Sequence, residues 1–134
     1  MNGFLMKLFQ SQGPAFQVIA AYDETGVMIN GVRFSESLLI LPDAAPVLWP
    51  VSGFDRLAVH DFLPVLASQP ELLIVGTGMR QHFMPPHLLV ELGAGKMGVE
   101  SMRNPAACRT FNLLLSEGRR VALALFMEDM PLFS

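Results

Sequence analysis

Residues 71–78 read Glu71-Leu72-Leu73-Ile74-Val75-Gly76-Thr77-Gly78. The apolar run follows Pro70, ends at a glycine and contains no alternation of apolar and polar residues. Such a short run between turn residues suits a strand covered on both faces. A strand of that kind needs a layer of structure on each side of its sheet, and this requirement sets the fold class. Downstream the pattern alternates between helix and strand. Pro85-Pro86 opens a helix over residues 85–92 that Gly93 closes. Residues 97–102 form a strand that contains Gly98. Asn104-Pro105 starts the clearest helix, with Asn104 as its N-cap and Pro105 at the first helical position. Ala107, Phe111, Leu114 and Leu115 repeat at helical spacing, and Gly118 stands just past the end. Residues 121–127 give a last strand, apolar on both faces.

Upstream of Glu71, Asp61 is read as the N-cap of a short helix with Pro64 in its first turn. Leu63, Leu66 and Ala67 form its apolar face, and Pro70 ends it. Residues 43–55, with Pro46, Trp49, Pro50 and Gly53, read as a loop. The first third reads as an antiparallel meander with strands at residues 17–22, 27–29, 32–34 and 38–41. Asn30-Gly31 is its strongest signal, because both central residues of a two-residue hairpin turn want positive φ. Strands separated by helices make right-handed crossovers onto a largely parallel sheet. The expectation is an α/β fold in one domain over residues 1–134, with residues 1–14 as an arm and 130–134 as a short apolar tail.

The 134-residue chain is 51% hydrophobic and 16% charged, with a formal net charge of -3. An apolar, charge-poor composition favours covered sheet faces and raises the odds of an exposed apolar patch for a partner or for self-association. Homo-oligomerisation is therefore one expectation. Scattered basic residues and a net negative charge exclude a nucleic-acid footprint. Cys108 is the one cysteine, so no internal disulfide is implied. No apolar stretch approaches the roughly 18 residues of a membrane span. A soluble, cytoplasmic protein is expected.

Gly76, Thr77 and Gly78 are the leading candidate site. Ligands of open α/β sheets bind beyond the carboxyl ends of strands. Glycines there let a ligand approach and leave backbone N–H groups free to face an anion. The alternative is a turn that needs small residues. The segment is neither a dinucleotide fingerprint nor a phosphate-binding P-loop. Arg80, close behind, is a candidate partner for a carboxylate or phosphate, and Asn112 is added as a further ligand-binding candidate. His82 and His87, across Pro85-Pro86, lack companion ligands at zinc spacing, and no metal or cofactor is expected. Cys108 shares a face with Phe111 and Leu115 and is read as buried. No paired carboxylates or nucleophile–base pair emerges from spacing, so no catalytic residue is assigned.

Four segments together resemble a known family. They are Leu73-Ile74-Val75-Gly76-Thr77-Gly78, Gly98-Val99-Glu100-Ser101-Met102, the run 106–114 and Glu117-Gly118-Arg119-Arg120-Val121-Ala122. In this order the chain is similar to small domains of unknown function that include the adipogenesis-associated Mth-type domain protein and a mitochondrial assembly factor for respiratory complex I. Phe111 stands where that family commonly has Tyr, and Arg103-Asn104 stand near a usual Thr. The resemblance implies a three-layer fold, in which helices and a small antiparallel β-hairpin layer from the N-terminal third flank a mixed central sheet. It further implies a last strand antiparallel to its neighbours. It implies no established enzyme activity. The expected function is a non-catalytic interaction or complex-assembly factor with other proteins as partners. The alternative is a domain that binds a small molecule or anion, with or without catalysis, at the Gly-Thr-Gly strand end.

Overall fold

The computed structural model describes residues 18–23 and 25–128. The expected arm over residues 1–14 and the tail over 130–134 lie outside them. Asn30 and Gly31 adopt φ of 53° and 79°, as a tight hairpin turn requires. That turn joins β2 (Gly26–Ile29) to β3 (Val32–Phe34), and β1 (Ile19–Asp23) pairs with the other edge of β2. These three strands form one antiparallel sheet.

A fourth strand, β4 (Leu38–Ile40), corrects the meander. It leaves the small sheet and joins a five-stranded one. The reason is burial. Leu38, Leu39 and Ile40 are all buried, so β4 needs cover on both faces. Its neighbours are β5 (Val47–Leu48), a strand inside the segment read as loop, and β8 (Val121–Leu125). The sheet order is β5-β4-β8-β6-β7, where β6 is Leu72–Gly76 and β7 is Gly98–Met102. The apolar run at residues 72–76 therefore sits inside the sheet, parallel to β7 and β8. Strand β8 is antiparallel only to β4, so the expectation that it opposes both neighbours is half right. Parallel β6–β8 pairing follows from the crossover through β7 and the helix after it.

Alternation along the strands separates two cores. Leu73 and Val75 of β6, with Ala122 and Ala124 of β8, face Phe54, Phe62, Leu88 and Leu92. That side is built by turns of 3-10 helix at Phe54–Arg56 and Val59–Phe62, by α1 (Leu63–Ser68) and by α2 (Pro86–Gly93). Ile74, Val121, Leu123 and Leu125 face the other way, onto Ala107, Cys108 and Phe111 of α3 (Asn104–Ser116) and onto Ile19, Val27 and Ile29 of the small sheet. The result is the three-layer mixed α/β arrangement. Helix α1 departs from its expected face. Leu63 is 57% exposed, whereas Val65 is fully buried. Asp61 does not cap α1; its carboxylate accepts the N–H of Ala58, 2.9 Å away, at the start of the preceding 3-10 turn. No helix among the described residues is long and apolar enough to cross a membrane.

Candidate functional site

Gly76, Thr77 and Gly78 lie where expected, at the carboxyl end of β6, and all three are buried. Their backbone groups are already engaged. The Thr77 N–H donates to the Met102 carbonyl at 2.9 Å, and the Gly76 carbonyl accepts the Phe126 N–H at 2.9 Å. The Thr77 hydroxyl donates to the Arg80 carbonyl at 2.6 Å, which closes the turn. The Gly78 N–H donates to Asn104 Oδ1 at 2.9 Å, and the Gly78 carbonyl accepts the Asn104 N–H at 2.9 Å. The expectation of N–H groups freed for an anion is thus corrected: a buried amide must be paired, and the protein supplies the partners itself.

The glycines have an equally internal cause. A Cβ on Gly76 would stand 2.5 Å from Asn104 Oδ1 and 2.7 Å from Leu125 Cδ1. Gly78 has φ of 94°, and a Cβ there would stand 2.7 Å from Glu128 Oε1. Close approach is therefore real, and side chains of the same chain make it.

Asn104 is the residue that sequence reasoning misplaced. Helix α3 begins at Asn104 with Arg103 in the capping position, and no side chain caps it. The Asn104 amide is engaged elsewhere: Nδ2 donates to the Phe126 carbonyl at 2.8 Å while Oδ1 holds Gly78. One side chain thereby ties the segments that leave β6, enter α3 and leave β8. The available signal was the position of an Asn between a strand and a helix; capping and cross-strand bridging look identical there.

The remaining candidates separate. Arg80 is exposed, and its guanidinium makes no hydrogen bond or ion pair among the described residues. Asn112 lies about 12 Å along α3 from Asn104, taking 1.5 Å per residue. It accepts the Ile19 N–H at 2.8 Å and donates to the Ile19 carbonyl at 2.9 Å, which docks β1 on α3. It is thus engaged with the small sheet, away from Gly78. His82 stacks on Phe54 with centroids 5.3 Å apart, and its Nε2 lies 3.8 Å from Glu128. Burial pushes the Cys108 thiol up to about 12, far from the range of a nucleophilic cysteine.

A cavity of about 170 Å³ adjoins this strand end, bordered by Met79, Asn104, Pro105 and Met127 on one side and by Tyr22 and Val27 on the other. Its lining is largely apolar, with Asn104 as the shared wall.

Residues 19–126 match the model of a protein family of unknown function, DUF498/DUF598. The chain belongs to this family. Membership spans the small sheet through the end of β8, so it covers both cores. Within the same similarity range, bovine NADH dehydrogenase [ubiquinone] 1 alpha subcomplex assembly factor 3 is 32% identical over 122 residues, which cover 90% of this chain and 66% of that protein. The chain thus spans about two thirds of the length of that curated relative. Among solved structures, the DUF498/DUF598 chain resembles a crystal structure from Bordetella parapertussis. That match has a TM-score of 0.77 at 37% identity, covering 83% of this chain and 95% of the other. It also resembles a Mth938-like domain of Bordetella pertussis solved by NMR. Here the TM-score is 0.74 at 31% identity, with 89% and 90% of the two chains covered.

Proposed function

We propose that this protein is a non-catalytic interaction factor that assists the assembly of a multisubunit complex, and that the complex is a respiratory one. The observation that carries this reading is the similarity to the bovine assembly factor across nine-tenths of the chain. The site chemistry supports it. Asn104, Thr77 and the two glycines are consumed by internal hydrogen bonds and packing, and the thiol of Cys108 is buried. Phe83 and Val90 are 84% and 73% exposed, the highest values for large apolar residues among those described. They sit just before and within α2 and are the first candidates for a partner contact. The working location in this reading is the cytoplasm, and self-association through the same apolar residues accompanies it.

The test is affinity capture at native expression, with the wild type compared to a Phe83→Ala, Val90→Ala double variant. Specific subunits of a membrane-associated complex are expected with the wild type and not with the variant. Both changes are on exposed side chains, so stability should move by no more than about 0.5 kcal/mol. Recovery of no specific protein by the wild type sinks the reading.

The apolar cavity beside Gly78 favours a second reading, a small-molecule site lined by Met79, Asn104 and Met127, in which Gly76, Thr77, Gly78 and Arg80 are the chain segment that carries Met79. Its volume of about 170 Å³ is below the roughly 300–1,000 Å³ of usual ligand pockets, so the ligand would be small. In this reading Met79 and Asn104 make the contacts, and a Met79→Trp variant abolishes binding while the fold survives.

A further inference from the structure

A larger cleft opens at the opposite end of the sheet, where β6, β7 and β8 begin. Its volume is about 480 Å³, inside the usual range of about 300–1,000 Å³ for small-molecule sites. Leu66 of α1, Leu92 of α2 and Met97 supply an apolar floor, and Gln69, Lys96 and Arg120 stand on the rim.

Two independent features distinguish this rim. The first is backbone conformation. Three non-glycine residues among those described have positive φ, and Asn30 belongs to the hairpin turn. The other two, Gln69 at 50° and Lys96 at 72°, both border the cleft. Gln69 ends α1, a routine place for a left-handed residue. Lys96 stands two residues past Ala94, the C-cap of α2, so its left-handed backbone likewise belongs to a helix end. Two helix ends that turn on side-chain-bearing residues rather than on glycine thus bring Gln69 and Lys96 to one rim.

The second feature is charge. Glu71 is paired with Arg119 at 2.6 Å, and Arg120 is paired with Asp43 at 2.6 Å. Arg120 also donates to the carbonyls of Ser68 and Gln69, which pins the end of α1. Lys96 is left as the rim cation with no ion-pair partner among the described residues. An apolar floor beneath one unpaired ammonium fits a molecule with an apolar body and a single carboxylate.

We propose that this cleft binds a small amphiphilic carboxylic acid, with its apolar body on Leu66, Leu92 and Met97 and its carboxylate on Lys96. The site is separate from the Gly-Thr-Gly strand end and does not depend on the assembly reading. The probe is sodium octanoate, titrated into the isotope-labelled full chain and followed by amide chemical shifts, with 1-octanol as the neutral analogue. Saturable shifts are expected at Gly95, Lys96, Met97 and Arg120. Octanol should bind more weakly by about tenfold or more, and Lys96→Met should weaken octanoate by a similar factor, as loss of one charge-assisted contact implies. Lys96→Gly removes the charge and suits the left-handed backbone, so it should raise Tm while losing octanoate affinity. The proposal is overturned by an absence of saturable shifts, by shifts that map to the Gly78 end, by equal affinity for octanol, or by undiminished octanoate binding in either Lys96 variant.

Discussion

Among single residues, the Asn104 carboxamide is used in both senses: its oxygen accepts from Gly78 and its nitrogen donates to Phe126. The isosteric substitution Asn104→Asp would keep the first contact and set two oxygens against each other in the second. Loss of the donor and the burial of charge cost about 2–3 kcal/mol. The N-terminus of α3 would contribute only about 0.3–1 kcal/mol to an anion there. The balance favours the neutral acid, whose hydroxyl can donate to Phe126. The folded pKa of the introduced carboxyl should therefore rise above the unfolded value of about 3.9. The folded state then holds the extra proton, so the deficit is largest at neutral pH and shrinks as pH falls through the raised pKa. Thermal melts of Asn104→Asp and wild type at pH 7 and 5 check this. A Tm difference that widens on acidification would contradict the argument.

Among the elements, the three-stranded sheet is held against α3 by the Ile19, Val27 and Ile29 side chains and by Asn112. Both polar groups of Ile19 end on that one amide. Replacing Asn112 by Leu would leave them to find water at the layer boundary, a cost of about 1–3 kcal/mol. The loss should appear locally, as faster hydrogen exchange at β1 with β6 and β8 amides unchanged. Uniform loss of protection would show that the small sheet and the main sheet open together.

Legibility also differs from element to element. The hairpin at Asn30-Gly31, the breaks at Pro70 and Gly118, and the strand β6 were readable because each depends on φ preferences or on an unbroken apolar run. The face of α1 was not. Its six residues and flanking 3-10 turns give too few periods for apolar spacing to choose between Leu63 and Val65.

Across the molecule, one sheet is shared by two cores, and Cys108 lies in the second of them, fully buried between α3 and the sheet. Its thiol is held at about 12 by burial, so at pH 8 it should react with a disulfide reagent only through opening of that core. In urea, the rise of thiol reactivity should coincide with the loss of helical circular dichroism. Reaction at the rate of a free thiol in native buffer would contradict the packing described. The Arg120 ion pair with Asp43 and the Arg119 pair with Glu71 are half-exposed and contribute little to this stability.

Local chemistry along the chain was enough to put β6 in the middle of a sheet, to cover that sheet with helices, and to require that something come close to Gly76 and Gly78. Those conclusions rest on hydrophobic runs, turn stereochemistry and the missing Cβ. What came close was set by folding, since Asn104, Leu125 and Glu128 are 26 to 50 positions distant along the chain. Folding likewise took β4 away from the meander and brought Gln69, Lys96 and Arg120 to one rim. Partners brought together in this way leave no trace in spacing, because a hydrogen bond between remote segments fixes no periodicity in either.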